Sequence, residues 1–300
     1  MKRTLIIATR AGSLAIAQTG IVVSSLQKLF PALDVRIKKI ASEGDEDQRT
    51  ALWQLKTAGF FTSRLEDALL TGVADAVVHS FKDLPTVQRE GLTVAAVLDR
   101  KFPEDCLVCA ERITSIDELP KAAKAGTSSL RRGVLLKRLR DDLECVPIRG
   151  NVTTRLKKLE RGEFDAIILA RAGLERLGMS GKISLVFDPA QFIPAPAQGA
   201  LAVQIRADDA ATKEIISKLD DKIARITTAA ERMVFSALQC GCHAPAGAFA
   251  KVSGEEITIS AFFSDPDGKK FAQSVVCGPV GEAEKLAEQL ALKLRRASDV

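Results

Sequence analysis

The sequence predicts an α/β protein over its first two-thirds and a small α+β domain at its end. Two observations carry the first part. Short, continuous apolar runs rich in β-formers recur, and each passes through a small polar turn into a helical pattern. Runs that are apolar throughout belong to strands buried on both faces, so helices are expected on both sides of the sheet. The third observation is a change of pattern over about the last eighty residues, where strict alternation takes over before a final 3.6-residue period.

Taken in order, Leu5-Ile6-Ile7-Ala8 leads through Thr9-Arg10 into a helix marked by Leu14, Ala15, Ala17 and Gln18. Asp75-Ala76-Val77-Val78 leads into Ser80-Phe81-Lys82-Asp83. Cys145-Val146-Pro147-Ile148 leads through Arg149-Gly150-Asn151 into Leu156 and Leu159, and Ala166-Ile167-Ile168-Leu169 into Ala172-Gly173-Leu174. Towards the end, Ile257, Ile259, Ala261 and Phe263 alternate with Thr258, Ser260 and Phe262. Asp265-Pro266-Asp267-Gly268 makes a turn, and Phe271, Val275 and Cys277 continue on a second strand. Ala283, Leu286, Ala287, Leu290 and Leu294 then keep helical spacing. Candidate boundaries fall at Asp99-Arg100-Lys101-Phe102-Pro103, in the proline-rich stretch from Asp188-Pro189 to Pro194-Ala195-Pro196, and near Asp220-Asp221.

At 300 residues the chain suggests two or three domains of roughly 100–150 residues each. With 46% hydrophobic and 27% charged residues and a mean hydropathy of +0.07, it is ordinary globular protein, which excludes disorder and disulfide-scaffold classes. Thirteen Phe, one Trp and no Tyr argue against a base-stacking nucleic-acid platform. Six cysteines in so long a chain make no disulfide framework, so a reduced, cytoplasmic setting is expected. Met1-Lys2-Arg3 resembles a signal n-region, but Arg10 cuts the following apolar run short. No stretch reaches the ~18 apolar residues of a membrane span.

The strongest chemical signal is the position of the arginines. Thr127-Ser128-Ser129-Leu130-Arg131-Arg132 follows Gly126, so Ser128 or its neighbour is a natural N-cap and both arginines fall in or beside the first helical turn. A cation there opposes the helix dipole by ~0.3–1 kcal/mol. Arg10, Lys82, Arg149, Arg155 and Arg171 also lie at or near strand-to-helix junctions. Any one of them fits an incidental residue on a solvated helix face. As a set they point to a compensating polyanion gathered where strand C-termini face one crevice. Phosphate-loop and dinucleotide fingerprints are absent.

Two further stretches stay open on the residues alone. Ser80-Phe81-Lys82-Asp83 reads equally as a capping box and as a buried carboxylate on a helix aborted by Leu84-Pro85, suited to holding a cation or passing protons. Cys240-Gly241-Cys242-His243, even with Cys106 and Cys109, is poorly spaced for zinc, so no metal is expected; an exposed nucleophilic thiol in this glycine-containing loop is the sharper reading. His79 reads as a satisfied, partly buried residue.

Together these stretches resemble the porphobilinogen deaminase family. The matching segments are Ala8-Thr9-Arg10 with Leu14-Ala15 and Gln18, His79 to Pro85, Gly126 to Arg132, Arg149-Gly150-Asn151-Val152 with Thr154-Arg155-Leu156, Pro194 to Leu201, and Gly241-Cys242. The resemblance implies two similar doubly wound, periplasmic-binding-protein-like domains, 1–99 with 200–218 and 104–194. The chain would cross twice between them, with Leu201 to Arg206 returning to the first. A small α+β domain, 220–300, would carry the cofactor cysteine.

The resemblance further implies a dipyrromethane cofactor held by Cys242 through a thioether. Four porphobilinogen units are added to it head to tail with loss of ammonia, and water then releases hydroxymethylbilane. Asp83 would be catalytic, hydrogen-bonding pyrrole NH groups and stabilising an azafulvenium cation. Ser80, Lys82, Thr127, Ser128, Ser129, Arg131 and Arg132 would hold the cofactor's acetate and propionate groups. Arg10, Arg149, Arg155, Arg176 and Phe61 would serve the substrate and growing chain. A monomer is implied, with no nucleic-acid or membrane partner, and with its product passed to uroporphyrinogen III synthase. The chain departs from the family pattern at Gly12, where Ser is usual, at Ala58, where a lysine is usual, and at Gln239 and Cys240 beside the cofactor cysteine. The competing reading is a non-catalytic two-lobed receptor for a polycarboxylate.

Overall fold

The computed structural model describes residues 4–41, 62–239 and 245–298. They fall into two compact units. One contains residues 4–41, 62–101 and 199–225, and the other 102–198, 226–239 and 245–298.

The first unit opens with β1 (Thr4–Arg10), followed by the helix Ser13–Leu29 and β2 (Asp34–Ile40). After the helix Ser63–Leu70 come β3 (Ala76–Ser80) and β4 (Leu92–Leu98). The chain then passes to the second unit and forms β5 (Asp105–Cys109), β6 (Lys124–Gly126), the helix Leu130–Leu139 and β7 (Glu144–Val146). The helix Val152–Glu160, β8 (Ala166–Ala170), the helix Arg171–Arg176 and β9 (Leu185–Val186) complete that sheet. β10 (Leu201–Arg206) returns to the first unit and lies between β3 and β4.

The two five-stranded sheets share one plan, β2-β1-β3-β10-β4 and β7-β6-β8-β5-β9. In each, three parallel strands are followed by one antiparallel strand and a fifth antiparallel to that. The antiparallel strand in each sheet, β10 or β5, is the one that arrives directly from the other unit. This is the double crossover the resemblance implies. Both crossings turn through left-handed backbone, at Asp99 (φ 51°) and Phe102 (φ 53°) in one and at Ala197 (φ 59°) and Gly199 (φ 89°) in the other. Only glycine takes that region without strain.

Each sheet is covered on both faces because its strands are apolar on both. Leu5, Ile7, Val78 and Val203 pack with Val22 and Leu26 of the helix Ser13–Leu29, whereas Ala8 and Val77 face Leu65 and Leu69 of the helix Ser63–Leu70. In the second sheet, Leu107, Ala125 and Ile168 meet Val134, Leu135 and Leu136, and on the opposite face Cys106, Val108 and Ile167 meet Leu156 and Leu159. Each of the Val, Leu and Ile side chains among them contributes roughly 1.5–3 kcal/mol on burial.

The second unit also holds an antiparallel meander of β11 (Ala246–Ser253), β12 (Glu256–Ser264) and β13 (Phe271–Pro279), backed by the helix Ala283–Ser298. Ile257, Ile259, Ala261 and Phe263 face this helix through Leu286, Ala287, Leu290 and Leu294, as alternation requires. Phe262 departs from the expectation. Alternation assigns it to the solvent face, yet it is completely buried, packed with Phe192 and Ile193 in the core of the second sheet. That contact joins the small α+β layer to the α/β layer of its unit. The helix Lys222–Leu238 leads towards the 240–244 segment, and the division between the two compact units falls inside it, after Arg225. The reason is local: Asp220 accepts from the Val97 N–H at 2.7 Å and pairs with Arg225 at 2.6 Å, fastening this stretch to β4.

Candidate active site

In the first unit, the neighbouring parallel strands β1 and β3 end in Arg10 and Ser80. Beyond Ser80 the helical pattern survives for only a single 3-10 turn, Phe81–Asp83, because Leu84-Pro85 disfavours continuation. Phe81 and Leu84 are buried, and the Phe81 N–H donates to the Ala200 carbonyl at 3.0 Å. Between these two anchors the turn presents Lys82, half-buried, and Asp83, exposed. The capping-box reading does not hold, since Ser80 makes no side-chain cap. Its hydroxyl instead exchanges hydrogen bonds with the Gln18 amide, 2.8 Å from Nε2 and 3.1 Å from Oε1. The buried-carboxylate reading is also corrected: two apolar side chains face the core and leave Asp83 on the outer side.

His79 lies one residue before this turn and is buried, with Nε2 3.1 Å from Gln204 Oε1. Burial lowers its pKa to about 4, against the opposing effect of that hydrogen bond and with a smaller contribution from Arg10. The ring is therefore neutral near pH 7 and serves as a satisfied core residue.

In the second unit, β6, β7 and β8 end on the same edge of their sheet, and the polar residues follow those ends. Gly126 is closely packed, since a Cβ there would lie 3.0 Å from both Ile167 Cγ2 and Phe164 Cδ1 and those side chains would have to shift. Ser129 is the N-cap of the helix Leu130–Leu139 and accepts from the Arg132 N–H at 3.4 Å. Ser128 Oγ donates to the Ile148 carbonyl at 2.6 Å and accepts from the Ile148 N–H at 3.0 Å, tying two adjacent strand ends together. Thr127 Oγ1 accepts from the Ser129 N–H at 3.2 Å.

Arg131 and Arg132 are only 5% and 8% exposed, and both clasp the wholly buried Asp105 at 2.7 Å. Burial pulls the Arg131 pKa below its ordinary value, partly offset by Asp105. After β7, Asn151 caps the helix Val152–Glu160 by accepting from the Thr154 N–H at 2.9 Å. Arg155 Nε donates to the Gly150 carbonyl at 2.8 Å. Burial lowers the Arg155 pKa to about 10, and the charges of Arg132 and Arg149 lower it further in the same direction. Arg176 closes the helix Arg171–Arg176 and is half-buried.

Arg155 is thus buried close enough to Arg132 and Arg149 for their charges to disfavour its own, while Asp105 sits between Arg131 and Arg132. A region where like charges are brought together at a cost is built for an anion of several charges. Each pair at ~4 Å contributes about 4 kcal/mol at an effective dielectric near 20, before desolvation.

Sequence reasoning did not select Asp105 or Gln198. The signal for Asp105 was available, as an acid adjoining the apolar run Cys106-Leu107-Val108-Cys109 is buried only if paired. Cys106 is fully buried, its thiol pushed up to about 12 by burial, and burial raises Cys109 to about 11, so both behave as packed core thiols. Gly12 caps the helix Ser13–Leu29 without a side-chain bond. Cys242, Phe61, Cys240, His243 and Ala58 lie outside the described residues.

The first unit carries an exposed carboxylate on a short turn and the second gathers guanidinium groups at its strand ends, and two such doubly wound sheets with a small α+β layer define the class of protein. Comparison with known proteins gives that class its family. Residues 5–214 match the family model described as porphobilinogen deaminase, dipyromethane cofactor binding domain, and residues 225–296 match the porphobilinogen deaminase C-terminal domain. Among relatives, the porphobilinogen deaminase of Roseiflexus sp. (strain RS-1) is 42% identical over 293 residues, covering 97% of this chain and 96% of the relative. That of Natranaerobius thermophilus is 41% identical over 285 residues, covering 95% and 91%, and that of Chromobacterium violaceum 40% over 290 residues, covering 97% and 94%. This chain belongs to the porphobilinogen deaminase family, a family of transferases of tetrapyrrole biosynthesis that use a dipyrromethane cofactor. The residues fit that group: each pyrrole brings two carboxylates, and the second unit offers the crowded guanidinium cluster that such a molecule needs.

Proposed function

We propose that this chain condenses four porphobilinogen molecules head to tail with release of ammonia, on a dipyrromethane primer joined to Cys242, and then hydrolyses the product to hydroxymethylbilane. The observation that carries the reading is the burial of Arg155 beside the charges of Arg132 and Arg149, in a chain matched along almost its whole length by one family.

When bound, the dipyrromethane supplies the primer to which porphobilinogen is joined. Arg131 and Arg132, with Lys82, Ser80, Thr127, Ser128 and Ser129, hold its carboxylates. Ser128 and Ser129 already use their hydroxyls to shape the loop and cap the helix, so they act chiefly by setting backbone N–H groups at the helix start. Arg10, Arg149, Arg155, Arg176 and Phe61 bind substrate and the growing chain. Asp83 is the catalytic residue, held out by Phe81 and Leu84 so that its carboxylate meets the pyrrole NH groups. A cation develops on porphobilinogen as ammonia leaves, and a fixed carboxylate beside it lowers that barrier and can accept the proton lost on rearomatisation. Neutral His79 takes no part in proton transfer.

Among the described residues no helix is long and apolar enough to cross a membrane. The reading includes a cytoplasmic monomer with domains 1–99 with 200–218, 104–194 and 220–300, passing its product to uroporphyrinogen III synthase. It is tested by weighing the purified protein and its peptides. Two condensed pyrrole units on the Cys242 peptide, with ammonia released on adding porphobilinogen, support it. Reversible porphobilinogen binding without adduct or ammonia overturns it in favour of a receptor.

A further inference from the structure

We propose that Asp105 is a positioning residue that fixes which edge of Arg131 is presented to a carboxylate, with Gln198 holding Asp105 in place. This rests on the reading that the arginine pair binds carboxylates.

Asp105 is fully buried at the start of β5. Its Oδ2 accepts from Arg131 Nη1 at 2.7 Å. Its Oδ1 accepts from Arg132 Nη2 at 2.7 Å, Arg132 Nε at 3.0 Å and Gln198 Nε2 at 3.2 Å. An ionised carboxylate only accepts, at about four lone-pair sites, so these donors saturate it. Gln198 Nε2 also donates to the Pro103 carbonyl at 2.8 Å, which fixes the amide. Both guanidinium groups are pinned a second time, Arg131 Nη1 to the Ile193 carbonyl at 2.8 Å and Arg132 Nη1 to the Ile168 carbonyl at 3.1 Å.

The donor inventory is uneven. Arg132 commits Nε, Nη1 and Nη2, whereas Arg131 commits Nη1 alone. Among the described residues, Nε and Nη2 of Arg131 make no hydrogen bond. They form one edge of the planar fork, the geometry that grips a carboxylate through two parallel bonds. Asp105 and the Ile193 carbonyl together hold Nη1 and so leave this edge uncommitted. Among the described residues, Asp105 is the acid that pairs with these two guanidinium groups, which would otherwise repel.

Charge and positioning make opposite forecasts. Removing a negative charge from a cationic site tightens carboxylate binding if Asp105 acts only through its charge. If it positions Arg131, Asp105→Asn weakens that binding, because the new amide donor faces an arginine donor.

The experiment uses the full chain with Asp105→Asn and with Gln198→Met. Folding is read by circular dichroism, adduct occupancy by intact mass, and KM and kcat with porphobilinogen on adduct-bearing protein. Citrate binding by calorimetry, compared between adduct-free preparations of parent and variants, adds a readout that needs neither adduct nor turnover. We expect folded Asp105→Asn with the adduct on less than a tenth of molecules and citrate binding weakened at least threefold. Gln198→Met is expected to load fully, with KM raised roughly fivefold and kcat within twofold of the parent. Parental loading with unchanged or tighter citrate binding in Asp105→Asn overturns the proposal. Should Asp105→Asn fail to fold, an unchanged KM and citrate affinity in Gln198→Met overturn it. A parent chain with neither adduct nor ammonia release refutes the functional reading instead, and citrate binding then still decides the role of Asp105.

Discussion

Replacing Asp83 by asparagine separates catalysis from structure cleanly. The side chain is exposed and makes no hydrogen bond or ion pair among the described residues, while the turn that carries it is anchored by buried Phe81 and Leu84. An isosteric change at such a position stays within about 0.5 kcal/mol of parental stability, or ~1–2 °C in Tm for a protein of this size. The chemistry loses far more. An amide keeps the shape but has neither the negative charge that a developing cation needs nor useful basicity, so roughly 10²–10⁴-fold of rate goes with it. At about 1.4 kcal/mol per tenfold, that is ~3–5.5 kcal/mol of transition-state stabilisation. The assay is ammonia release, together with the intact-mass ladder formed as pyrrole units are added, on protein whose Tm has been checked. Turnover within threefold of the parent would refute the role given to Asp83. A Tm fall beyond ~5 °C would refute the argument that the turn stands without it.

Two other sites yield forecasts of a different kind. Gly150→Ala places a Cβ 2.6 Å from Thr154 Cγ2 on backbone with φ of 109°, so a loss of ~1–3 kcal/mol is expected, seen as a Tm lower by roughly 2–4 °C per kcal/mol. KM rises with it, because Arg155 is anchored on the Gly150 carbonyl; an unchanged Tm and KM would contradict the packing described. His79 has a folded pKa of about 4 against 6.5 for the free side chain, so between those values the unfolded chain binds more protons and stability rises with pH. The effect is about 3 kcal/mol in all, complete above pH 6.5 and lost as pH falls towards 4. Urea unfolding across that window should show the slope, and His79→Gln should flatten it; an equal slope in the variant would remove His79 as its source.

What the sequence disclosed follows from what leaves a regular trace in it. Burial on both faces writes an unbroken apolar run, so β1, β3 and β8 were legible, and a helix start after a strand writes a hydroxyl cap, so Ser129 was found within one residue of its position, whereas the Asn151 cap was read only as part of a turn. Ser80 carried the same signature and failed, because Pro85 ended the helix and Gln18, sixty-two residues away, took the hydroxyl. Phe262 failed for a related reason: alternation reports which face of one sheet is buried, and the Phe192 and Ile193 that cover its other face come from elsewhere in the chain. The loop holding Cys240 and Cys242 suggested a reactive thiol only in outline, and the assignment of a cofactor to Cys242 rests on family resemblance rather than spacing. Asp105 marks the deepest limit. Its partners lie at separations of 26, 27 and 93 residues, and no periodicity links a carboxylate to cations so distant. Yet the cost of an unpaired buried carboxylate is several kcal/mol, so an acid opening an apolar strand already implies that cations exist somewhere to meet it. Read beside the out-of-place arginines at 131 and 132, that implication pairs two anomalies into one structure, since a cation that opposes its own helix dipole and an acid that has no business in a core each supply what the other lacks.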